Sequence, residues 1–229
     1  MGVIFTEPFF ILATIIMITL LMIWIGSLAY VLGLSTALLT LWAKKWDWAY
    51  FGLGNVKWIA SIRPAIGYTL MIILINDFIM EPAVELITNS PVNLSNFEGL
   101  KGNVPGLLLM LTVMWVMAAF GEEFFFRGYL MNRLAHIFGN SGASWITAIF
   151  LSSIVFGFVH SYQGSSGIIT TGVVGTILAL AFYQNKDNLW VGILAHGMYD
   201  TFGLIMIYLG KNLVIKNTMI EVYQLIIKY

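Results

Sequence analysis

The sequence predicts an all-α fold, a polytopic bundle of about six to eight membrane helices with its functional groups at bilayer depth. Three observations predict it. Only 10% of the 229 residues are charged and 59% are hydrophobic, whereas a soluble domain carries about 25% charged residues. Mean hydropathy is +0.88. The apolar residues are also gathered in runs long enough to span a bilayer, which takes ~20 residues at 1.5 Å rise each.

The first run, from Phe9 to about Trp42, is too long for one span and short for two. It is read as a span to about Tyr30 and, after Gly33, a second tilted or partial helix. The chain starts Met1-Gly2-Val3 without a basic region, and a cleavable signal has an apolar stretch of roughly 7–15 residues, so this run is expected to stay as membrane helix. The next stretch mixes Lys44, Lys45, Lys57 and Arg63 with tryptophans and a tyrosine, the composition of a headgroup interface on the cytoplasmic side. A span is expected over Ala65–Met80. The connection that follows it, rich in Pro, Asn and Ser, carries one lysine and three glutamates and suits the opposite side. Further spans are expected over Gly106 to about Phe138, Ala143 to about Tyr162, Ile168–Gln184 and Leu189–Gly210. The tail from Lys211 reads equally as an interfacial helix or a short last span. Simple alternation puts Arg133 and Lys186 on the cytoplasmic side but leaves this lysine-bearing tail on the other. No repeat or linker divides the chain, so residues 1–229 form one membrane domain.

Net charge is zero, with 11 basic and 11 acidic residues, so nothing points to a nucleic-acid partner or a polybasic lipid-binding arm. The absence of cysteine excludes disulfides, thiolate metal sites and a cysteine nucleophile.

Ionisable residues at bilayer depth are costly and mark functional sites. Glu122, Glu123, Arg127, His160, His196 and Asp200 are the candidates. Glu123 and Arg127 stand at i,i+4, share a helix face and can pair. Glu122 is turned about 100° away without that partner. A poorly solvated carboxylate beside Phe124, Phe125 and Phe126 suits general-base work. His196 and Asp200 are also at i,i+4, so the carboxylate can orient the imidazole, and Phe156 can pack beneath His160. Glu122, His160 and His196 could activate water directly or hold a divalent metal such as zinc that does so; the residues leave both open. His136 lacks a carboxylate partner and reads as a helix C-terminal residue. The Met and Phe stripes read as packing, and Gly172 and Gly175 as sites of close helix approach.

"EEFFFR" (122–127), "FGFVH" (156–160) and "HGMYD" (196–200) follow the order and spacing of EExxxR, FxxxH and HxxxN/D. The chain thereby resembles the CPBP family of intramembrane proteases, the CAAX-protease-like and bacteriocin-processing enzymes also called Abi proteins, over roughly residues 106–208. The resemblance implies a helical membrane endopeptidase acting on a membrane-associated peptide or protein. Glu122 would activate water with support from His160, Glu123 and Arg127 would brace it, and His196 with Asp200 would stabilise the oxyanion. Asp200 replaces an amide-bearing Asn in the last motif, and an ionised carboxylate cannot donate to an oxyanion. It would have to be protonated or act through His196, fixing the Nε2 proton toward the substrate. The compact length suits a bacterial plasma-membrane protein. The alternative is a non-catalytic interaction or bacteriocin-immunity protein on the same fold; a transporter would carry inverted repeats and broken helices, which are not seen.

Overall fold

The structure, a computed structural model, describes residues 8–25, 27–54, 58–185 and 188–228. The chain start at Met1, together with Lys57 and Lys186, lies outside them. Every long described segment is helical. Helices α1 (Pro8–Ile25) and α2 (Ser27–Ala43) pack on each other, and α2 runs unbroken through Tyr30–Gly33, so the first run does not divide there. Gly33 lies within α2. A Cβ there would stand 2.9 Å from the Phe125 ring, so glycine admits that ring, and the helix continues through it.

Helix α3 runs unbroken over 58–88 (α-helical over Trp58–Ile72 and Glu81–Thr88, π-helical over Ile73–Met80). It is longer than the span expected over Ala65–Met80, because the interfacial residues before it and the "EPAVELIT" stretch after it continue the same hydrogen-bonded helix. Helix α4 (Val104–Ile137) is 34 residues long. It begins on an Asn103 side chain that accepts from the Gly106 N–H. Helices α5 (Gly142–Val159), α6 (Gly164–Gln184) and α7 (Leu189–Tyr208) complete the core, and α8 (Val214–Ile227) closes the chain.

Among the described residues, four helices are long and apolar enough to cross a membrane: α4, α5, residues 161–184 containing α6, and α7. Helix α3 has the length but carries Arg63, Asp77, Glu81 and Glu85. At 14 residues, or about 21 Å of rise, α8 is too short to span a ~30 Å hydrocarbon layer. It lies against the end of α3, where Tyr223 Oη donates to the Phe78 carbonyl at 2.8 Å and Lys216 Nζ reaches Glu85 Oε2 at 2.8 Å. Lys216 is therefore buried and paired, which removes it from the free cations that set orientation, while Lys211 and Lys228 stay exposed.

The two ends of the bundle are built differently. At the Lys44 end, Arg133 donates to Tyr50, Leu189 N–H to the Gly52 carbonyl, and Asn188 to Ser61. At the other end the polar connection after α3 folds over the helix termini: Asn93 N–H bonds the Gln163 carbonyl, Thr88 the Ser166 hydroxyl, and Gly102 N–H the Tyr208 carbonyl. Between them lies an aromatic core around α4. Phe124 stacks on Phe51 with centroids 4.6 Å apart, and Phe126 meets Phe156 edge-on at 4.9 Å. Helices α5 and α6 touch closely because a Cβ on Gly157 would sit 2.4 Å from the Ile168 carbonyl oxygen and 3.2 Å from Gly172 Cα, a small-residue contact of the kind that joins helices in lipid.

Candidate active site

Helix α4 is not regular where it carries its acids. It is π-helical over Met114–Glu122 and again over Phe124–Met131, the widened turn that recurs at functional sites. The widening frees carbonyls from the usual ladder, and Met117 O is served from α2 by the Tyr30 hydroxyl at 2.6 Å. Gly121 makes room: a Cβ there would stand 2.2 Å from that hydroxyl.

Behind the wall of the site is a closed ionic cluster. Glu123 and Arg127 are 0% and 1% exposed. Arg127 Nη1 donates to Glu123 Oε1 at 2.7 Å, and Nη2 donates to the Gly175 carbonyl of α6 at 2.8 Å. The guanidinium also lies 4.6 Å from the centre of the Phe156 ring, a cation–π contact. Glu123 Oε1 takes a further contact from His196 Nδ1 of α7 at 3.1 Å. A Cβ on Gly192 would stand 2.8 Å from Glu123 Oε2, so α7 approaches this carboxylate closely only because residue 192 is glycine.

In front is a cavity of ≈ 280 Å³ lined by Glu122, Phe156, His160, His196 and Asp200, and by neither Glu123 nor Arg127. Glu122 Oε2 is buried without a hydrogen-bond partner. The three phenylalanines that follow it in sequence do not surround it. Their rings fill the core on the other faces of α4, and Glu122 meets the cavity instead. His160 rests on Phe156 as its i,i+4 spacing anticipates, with centroids 4.8 Å apart, and its Nδ1 contacts the Phe156 carbonyl at 2.7 Å. A carbonyl only accepts, so Nδ1 carries the proton and a neutral ring presents Nε2 as an acceptor.

His196 departs from expectation. Its Nδ1 is held by Glu123, and Nε2 is the atom nearest Asp200, 3.5 Å from Oδ2. The imidazole is thus oriented from α4 rather than by Asp200, which sits where the Nε2 proton points. This also decides how the residues present suit a metal. His196 has no nitrogen free of a carboxylate, and among the described residues no three His, Asp or Glu side chains converge as metal ligands. The set Glu122, His160 and His196 does not fit a zinc site in this arrangement.

Residues 104–202 match the Rce1-like family, described as type II CAAX prenyl endopeptidase Rce1-like. That is the CAAX-protease-like group the three motifs resemble, and all six candidate residues lie inside the matched stretch. No curated protein and no solved structure matches the chain. Its apolar helices and the match of residues 104–202 to a membrane-protease family point to an integral membrane protein.

Sequence reasoning missed one part of the cavity. Asn76 and Asp77 of α3 and Tyr199 of α7 form a hydrogen-bonded cluster on its wall, outside the Rce1-like stretch except for Tyr199. The signal was present: Asp77 is ionisable and lies within the apolar run Ala65–Met80, the criterion that singled out Glu122. The structural readings of His136, bonded through Nδ1 to the Asn132 carbonyl at 2.8 Å, and of Gly172, in the α5–α6 contact, agree with what is found.

Proposed function

We propose that the protein is an intramembrane endopeptidase that hydrolyses a peptide bond of a membrane-associated peptide or protein, with water activated at Glu122. The observation that carries this reading is the division between adjacent acids: each keeps an unpartnered Oε2, but Glu123 is held through Oε1 by Arg127 and His196 and does not line the cavity, while Glu122 lines it. A water held between Glu122 and His160 Nε2 would give its proton to Glu122 as its oxygen attacks the scissile carbonyl, and Glu122 would return that proton to the leaving amine. The negative charge developing on the carbonyl oxygen needs a donor. With a carboxylate facing each of its nitrogens His196 carries a proton on both, and its Nε2–H serves, because 3.5 Å to Asp200 is longer than the ~2.7–2.9 Å of a tight N–H···O⁻ bond, leaving that proton able to turn to substrate. Glu123 and Arg127 act as positioning residues, holding His196 and the α4–α6–α7 junction.

Comparative peptidomics of cells carrying wild-type or Glu122→Gln protein tests this. Peptides that accumulate uncut with the variant, and are cleaved by purified wild-type protein in detergent, support it. Cleavage retained by the purified variant removes Glu122 as the base. A cellular role preserved in Glu122→Gln cells, with no peptide differing, points instead to a non-catalytic interaction or immunity protein.

A further inference from the structure

We propose that Asn76 and Asp77 form a subsite of the same cavity that receives a basic side chain, Lys or Arg, of the substrate peptide. The proposal rests on the endopeptidase reading and names a substrate class for it.

The cluster offers acceptors and lacks a cation. Tyr199 Oη donates to Asp77 Oδ1 at 2.8 Å, and Asn76 Nδ2 lies 3.2 Å from the same oxygen and 3.0 Å from Tyr199 Oη. Because a carboxylate that takes the tyrosine proton can only accept, the Asn76 amide must turn its NH₂ toward Asp77. That fixes its carbonyl oxygen as the other end. Asn76 is 4% exposed, and that Oδ1 is buried with no partner, on a residue that lines the cavity. A buried acceptor left unsatisfied is costly, and so is a half-buried carboxylate without a counter-charge. Among the described residues no Lys, Arg or His pairs with Asp77; the ion pairs of this region bind Lys216 to Glu85 at 2.8 Å and to Glu81 at 3.9 Å.

Those pairs also indicate what the wall accepts. Glu81 stands four residues beyond Asp77 on α3, and Lys216 enters the same cavity beside it, so this surface already holds one ammonium. The carboxylates lining the cavity are Asp77, Glu81, Glu122 and Asp200, against Lys216 as its one Lys or Arg. A donor-rich cation at Asp77 would satisfy the Asn76 oxygen, neutralise the aspartate and fix the peptide relative to Glu122, since Tyr199 adjoins Asp200 in α7.

The test separates the subsite from the chemistry. Binding of acetyl-Leu-Leu-Arg-Leu-Leu-amide and of its citrulline counterpart, which keeps the shape and removes the charge, is measured on detergent-solubilised Glu122→Gln protein. At least a tenfold preference for the arginine peptide is expected. Asp77→Asn should abolish that preference and Asp77→Glu should restore part of it. Equal binding of the two peptides, or binding of neither, overturns the subsite, and because this comparison needs no change at Asp77 it does not depend on a variant folding. In a parallel arm, wild-type protein is incubated with a mixed peptide library and products are read by mass spectrometry. Cleavage with no Lys or Arg enriched at a fixed distance from the cut overturns the subsite and leaves the protease reading standing. Charge-dependent binding without any cleavage does the reverse.

Discussion

Glu122 and Glu123 are neighbours in the chain and occupy opposite regions of the molecule. The region behind α4, where Glu123 and Arg127 meet each other, His196 and the Gly175 carbonyl, is closed and joined by ion pairs, with Glu123 Oε2 and Arg127 Nε left over. The region in front, where Glu122 and His160 both line the cavity, leaves its carboxylate beside open space. The difference teaches that the same side chain is a structural brace or a reagent according to whether it is ion-paired between helices or lines the cavity.

Substitutions at the two acids should therefore separate activity from stability. The largest effect is expected from Glu122→Gln, with loss of at least about 10³-fold in turnover. Removing an unpaired buried charge costs the fold nothing, so its thermal midpoint should match or exceed that of the wild type. A drop in midpoint comparable to that of the Glu123 variants would erase the contrast between the two regions. Next come Glu123→Ala and Arg127→Ala, each stranding a buried charge at about 3–5 kcal/mol, measured as lost yield and a lowered melting temperature together with lost activity. A double substitution to Gln and Met that recovers stability without activity would sharpen the assignment of this pair as a brace. Gly192→Ala should cost about 1–3 kcal/mol, because its Cβ must displace the Glu123 carboxylate or move α7. Its activity loss should exceed that of Gly203→Ala, where a Cβ meets nothing within 4 Å. The smallest effect is expected from Tyr30→Phe, about 1 kcal/mol for the lost bond to the Met117 carbonyl, read by thermal unfolding with activity mostly kept.

Much of the site was legible because its first relations are local. Spacing of four residues placed Arg127 against Glu123 and Phe156 beneath His160, and both contacts are present. Apolar run length placed the helices of the C-terminal half to within a few residues. The π turns of α3 and α4 were not legible, since no residue type encodes them as proline encodes a break. The division of the first run was misplaced because glycine at 33 looked like a helix end and is instead a contact with Phe125. His196 was assigned to Asp200 by the same four-residue rule, but its Nδ1 belongs to Glu123, 73 positions away.

By itself the sequence determined the membrane class, the helical fold, the resemblance carried by three ordered motifs and the pairing of groups on one helix face. These follow from composition and from helical periodicity, which act over a few residues. Only the tertiary structure decided that α6 and α7 close over Glu123 and leave Glu122 open, that Asn76 and Asp77 join the same cavity, and that the tail buries Lys216 against α3. Those outcomes depend on which helices approach and where a missing Cβ lets them touch. Helical periodicity says which residues share a face, while packing says what that face meets.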